Sequence, residues 1–90
     1  MAKHLWVDEL ERLIKAVQKY REEIEFNLRL LGNAANVCDQ VMGSDAVSQK
    51  NIKRLEEGLK ELEYVISLTQ DVEAALRRSL SDAIAIYEDA

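Results

Sequence analysis

Apolar residues recur at steps of three or four along almost the whole of this chain, and the recurrence breaks once, at Val41-Met42-Gly43-Ser44-Asp45. Steps of three and four bring side chains onto one face of an α-helix and onto neither face of a strand. The first row runs Leu10, Leu13, Val17, Tyr20, Ile24, Leu28, Leu31, Ala35, Cys38 and Met42, broadened by Ile14, Phe26, Leu30, Ala34, Val37 and Val41. The second runs Ile52, Leu55, Leu59, Leu62, Ile66, Thr69, Val72, Leu76, Leu80, Ala83 and Tyr87, broadened by Val65, Leu68, Ala75, Ile84 and Ile86 and extended towards the turn by Ala46 and Val47. This pattern predicts an all-α fold: helix one over about 8–42, a turn at 43–45 and helix two over about 46–88.

Local chemistry agrees with those limits. Gly43 can take the left-handed conformation that ends a helix, and Ser44 or Asp45 can cap the free amides that begin the next. A stop followed at once by a start leaves no linker, so the helices are expected to fold back as an antiparallel hairpin, with Met42 near Val47. At the other end Asp8 is expected as the N-cap or a first-turn acid, with Glu9 and Glu11 near the positive helix end and Leu5 and Trp6 folding back over the first turn. Gly32 costs about 1 kcal/mol in a helix interior. Continuity through it is the expectation, with a bend or close packing on helix two as its reason, and a break at Leu31-Gly32-Asn33 is the alternative. Gly58 reads as a surface glycine or a close helix crossing.

A 90-residue chain with no proline and three glycines describes one domain, residues 1–90. A compact chain of this size buries only about 60% of its unfolded surface, and two helices side by side bury less. A partner is therefore expected, homo- or hetero-oligomeric, with two hairpins forming a four-helix bundle. The apolar row nominates Trp6, Leu13, Val17, Ile24, Leu28, Leu31, Leu55, Leu62, Ile66, Leu76 and Tyr87 as interface residues. Tyr64 is expected to be partly exposed, and Cys38, among Ala34, Ala35, Val37 and Val41, to be a small buried side chain.

Catalytic chemistry finds little footing. His4 is the only histidine and Cys38 the only cysteine, so neither a zinc site nor a histidine-activated nucleophile can be assembled. The glycines are isolated and build no phosphate loop. Neighbouring acids such as Glu22-Glu23 and Glu56-Glu57 point in different directions on a helix, and Glu25 reads as a polar flank or ion-pair member. The expectation is a non-enzymatic chain with no cofactor and no metal.

A net charge of -5 disfavours nucleic acid as a partner, and the patch of Lys50, Lys53 and Arg54 is soon followed by Glu56, Glu57, Glu61 and Glu63. No secretory signal and no transmembrane segment are read in the sequence.

Trp6 near the start, two long helices and Val41-Met42-Gly43 between them together resemble the WXG100, or ESAT-6-like, superfamily of helical hairpins associated with type VII secretion, over almost the whole chain. The family turn carries a Trp-X-Gly motif, of which Gly43 is present and the tryptophan is replaced by Val41. The secretion signal of many relatives pairs a tyrosine with an acid four positions later. Tyr87-Glu88-Asp89-Ala90 ends before that position. The resemblance implies a hairpin that pairs with another hairpin, as a type VII substrate or as the accessory partner of a secreted toxin or effector. It also implies a cytoplasmic chain, any export of which depends on a partner's signal or on a variant signal. The alternative is a cytoplasmic coiled-coil adaptor or structural dimer unrelated to secretion.

Overall fold

The computed structural model describes residues 2–41 and 45–89. Two helices, α1 (Ala2–Val41) and α2 (Ala46–Asp89), contact each other as a helical hairpin, and the described residues contain no strand. Helix α2 begins where the sequence predicts. Helix α1 begins six residues before the expected start at 8, because nothing from Ala2 to Val7 breaks a helix and several of these residues favour one. Asp8 is therefore inside the helix and caps nothing. Trp6 is also helical and 56% exposed, so it does not fold back over the first turn. Met42, Gly43 and Ser44, including the predicted contact of Met42 with Val47, lie outside the described residues.

Asp45 supplies the start of α2. Its Oδ1 accepts the Ser48 amide at 2.7 Å, and its carbonyl accepts the Gln49 amide at 3.1 Å, the first bond of the helix. An acceptor three residues ahead of an otherwise unsatisfied amide is N-cap geometry. The same bond from Ser48 holds the Asp45 carboxyl below its ordinary range.

The chain divides into two compact units, each built from a piece of both helices. The terminal unit joins Met1–Arg21 to Ser67–Ala90. Its seam is made by Val7, Leu10, Ile14, Val17 and Arg21 of α1 with Thr69, Glu73, Leu76, Leu80 and Ala83 of α2, all buried or half-buried. Steps alternate between three and four throughout, the heptad rhythm of helices packed at a shallow angle. Ala83 is the most enclosed of these, at 1% exposure.

The turn unit, Glu22–Ile66, has a seam of Ile24, Leu28, Ala35 and Cys38 with Ser48, Ile52, Leu55, Leu59, Leu62 and Ile66. Ile24, Ile52 and Ser48 are its most buried members. Val47 is 71% exposed, so the apolar row does not extend back to it. Ser48, four residues before Ile52, takes that seam position instead. Cys38 is half-buried, less enclosed than the small buried side chain expected from the sequence. The helix passes through Gly32 without a break, but nothing lies within 4 Å of where a side chain would start. Close packing is not why glycine stands there. Gly58 likewise faces open space and marks no crossing.

Candidate interaction surface

The seam of the terminal unit holds an ion cluster, and the two flanks beside it differ in how apolar they are. Arg21 Nη2 donates to Glu73 Oε1 at 2.6 Å, Arg77 Nε donates to Glu73 Oε2 at 2.8 Å, and Gln18 Nε2 reaches Oε2 at 3.4 Å. Gln18 and Arg21 come from α1, whereas Glu73 and Arg77 come from α2. Bonding to Arg77 and Arg21 holds the Glu73 carboxyl down to about 2, against the desolvation of a side chain only 15% exposed. A carboxylate with both oxygens engaged is a fixed anion, available neither as a proton carrier nor as a ligand.

This cluster explains where sequence reading placed the seam wrongly. Leu13 and Tyr20 were expected to face α2, but they are 44% and 55% exposed, while Ile14 and Arg21 take the seam. On α2, Val72 was expected inward and is 48% exposed, displaced by Glu73. The displaced residues each stand one position before a seam residue, as do Trp6, Leu68, Ala75 and Ser79.

One position back is a rotation of about 100° around a helix axis. Because the two segments run antiparallel, the rotation carries the row on α1 and the row on α2 to the same side of the unit. That side presents Trp6, Glu9, Leu13, Ala16 and Tyr20 from α1 and Leu68, Val72, Ala75, Ser79 and Asp82 from α2, all exposed and mostly apolar. The opposite flank of α1, one position after each seam residue, reads Asp8, Glu11, Lys15 and Gln18. A shallow cleft of about 310 Å³ opens beside the ion cluster, lined by Arg21, Gln70, Glu73, Ala74 and Arg77.

The turn unit shows a related asymmetry on α1. Leu30, Ala34, Val37 and Val41 are exposed on the side that precedes its seam, and Arg29, Asn36 and Asp39 are on the other. A cleft of about 590 Å³ runs along the polar side, lined by the half-buried or buried Leu28, Gly32, Ala35, Ile52 and Leu59 and by the exposed Arg29, Asp39 and Glu56. Phe26 and Tyr64 are exposed away from the seam, Tyr64 as the sequence predicts.

Of the residues nominated for an interface, Trp6, Leu13 and Leu31 are exposed. Val17, Ile24, Leu28, Leu55, Leu62, Ile66 and Leu76 are drawn into the hairpin's own seams, and the side chain of Tyr87 lies outside the described residues. Sequence reasoning missed Val72, Arg21 and Glu73 in their present roles. Nothing in the amino-acid order singles out Arg21 and Glu73, because Lys15, Glu23, Lys53 and Glu63 also stand beside the apolar rows.

Among the described residues no group of three His, Cys, Asp or Glu side chains is placed to hold a metal ion, and no helix is long and apolar enough to cross a membrane. Lys50, Lys53 and Arg54 are exposed near the start of α2. Comparison with protein families, curated proteins and solved structures finds no match to this chain.

Proposed function

We propose that this protein is a non-enzymatic interaction module that pairs with another helical hairpin. One observation carries the reading: a compact monomer of 10.3 kDa exposes about 5,400 Å², whereas this chain exposes 6919 Å². The excess, roughly 1,500 Å², exceeds the ~800 Å² that one partner contributes to a standard interface. Much of the exposed surface is apolar, with Trp6, Tyr20, Phe26, Val37, Val41, Tyr64 and Ile86 all more than half exposed. Among the described residues no large side chain is fully buried. A two-helix core this thin gains by packing on a further pair of helices, which gives a four-helix assembly.

The setting we propose is WXG100-like type VII secretion, in which the hairpin is a secreted substrate or escorts a secreted toxin or effector. Trp6, the central turn and the two-helix layout support it. The heptad rhythm of both seams favours a second reading, a cytoplasmic coiled-coil adaptor or structural dimer, because such seams also serve proteins with no link to export.

Both readings are tested by light scattering and circular dichroism of the purified chain, alone and mixed with helical products of neighbouring genes. Pairing raises the mass and increases helicity or Tm, and pairing with a toxin or secretion component selects the first reading. A monomer that binds none of them and unfolds cooperatively at the same temperature throughout rejects the module.

A further inference from the structure

We infer that Arg21 and Glu73 set the pairing of this hairpin: they commit α1 to α2 and hold the two helices in one heptad register, which the apolar seam alone does not specify. The inference needs no second molecule and stands apart from the pairing with another hairpin proposed above. Seam positions on both helices of the terminal unit alternate steps of three and four, so each row repeats every seven residues. Sliding α1 along α2 by one heptad lays apolar positions on apolar positions again. Arg21 and Glu73 break that repeat, as the two charged members of these rows, opposite in sign and one on each helix.

In the observed register Arg21 Nη2 lies 2.6 Å from Glu73 Oε1, with the two side chains 19% and 15% exposed. A slip of one heptad in one direction brings Arg21 level with Leu80, and in the other it brings Glu73 level with Ile14. Arg77 travels with Glu73, four residues away on the same helix, so Glu73 keeps one counter-charge in either case. Arg21 loses its own, because no other acid lies in the α2 seam of the unit. A guanidinium desolvated against aliphatic side chains is the unfavourable half of a broken buried ion pair. The bond from Gln18 Nε2 to Glu73 Oε2 is lost with it. Like helices are excluded by the same chemistry. Two copies of α1 packed along this seam would leave both arginines uncompensated, since the row holds no acid.

A buried ion pair replaced by apolar residues of similar size is often no less stable, so stability alone does not account for charges at two seam positions. A polar residue in a heptad seam fixes alignment and partner while weakening the packing. A hairpin slips by one heptad when its turn moves three or four residues along the chain. The Asp45 cap opposes that move in the turn unit, and the ion pair opposes it in the terminal unit.

Spin labels at Lys19→Cys and Ser81→Cys, in the full chain carrying Cys38→Ser, test the inference through the distance between them, with labelled chain diluted into unlabelled chain. Both positions are exposed and outside the seam. A slip of one heptad moves one label past the other by about 10 Å along the helix axis. The expected result is a single distance in this background and at least two in Arg21→Leu/Glu73→Leu, with helical circular dichroism retained. Glu9→Leu/Arg12→Leu, the same replacement at an exposed ion pair, should keep the single distance. One unchanged distance in the seam variant, whatever its Tm, overturns the inference and leaves the pair a merely stabilising contact. Two distances with the seam intact overturn it as well. Should the leucine variant lose its helical signal, Arg21→Gln/Glu73→Gln removes both charges with polar side chains kept. Several distances there support the inference, and one overturns it.

Discussion

Arg21 of α1 and Glu73 of α2 meet at 2.6 Å inside a seam that is otherwise almost wholly apolar, with their side chains 19% and 15% exposed. The pair joins the two helices of the terminal unit, and Arg77 and Gln18 complete it. Removing one member leaves the other partly desolvated, which costs more than the pair contributes when intact.

The pH dependence of stability should carry the signature of this cluster. Glu73 has a carboxyl held down to about 2 in the folded chain, below its unfolded value near 4.5. Its stabilisation is therefore present in full above about pH 4.5 and is lost as pH falls towards 2. Urea unfolding of the wild type and Glu73→Gln from pH 2 to 7 should give stability curves that diverge as pH rises through that window and run parallel above it. A constant difference across the whole range would mean that Glu73 titrates normally.

Arg21→Ala and Glu73→Ala should each destabilise the hairpin, and the double variant should lose less than the sum of the two. Such non-additivity is what a direct pair produces in a double-mutant cycle. Additive losses, measured from denaturant midpoints, would show that the two side chains act independently.

Gly32→Ala and Gly58→Ala should stabilise the protein. Both positions are helical and both face open space, so a methyl group meets nothing while the unfolded chain loses freedom. Each substitution should add about 1 kcal/mol. Thermal melts read the gain directly, and a lowered Tm would reveal a contact at these sites.

Ala83→Leu should destabilise by about 1–3 kcal/mol through overpacking. Ala83 is 1% exposed in the seam of the terminal unit, with no room for three further carbon atoms. Ala75→Leu, on the exposed apolar flank, is the matched control and should not lower the Tm of the single chain.

Asp45→Ala should lower the Tm by roughly 5 °C, the size of a lost N-cap in a domain of this length. Asp45→Asn should retain most of the stability, because its side-chain oxygen can still accept the Ser48 amide. Equal melting of both variants would show that the cap bond adds nothing.

Helix type and the limits of α2 were legible in the amino-acid order because each is a local property, whereas the start of α1 was placed six residues late. Three-and-four spacing fixes a helical face, proline is absent, and Asp45 sits three residues ahead of the amide it caps. The choice of seam was not legible. Leu10, Val17 and Ile24 are common to two rows, one completed by Leu13 and Tyr20 and the other by Ile14 and Arg21, and both rows satisfy helical spacing equally. Tertiary contact selects the second row, because Arg21 finds Glu73 on the facing helix while Tyr20 does not have to be buried. The same event turns Val72 outward. Periodicity along one helix says which residues share a face. Only the helix opposite, through a charge fifty-two positions away, decides which part of that face is covered.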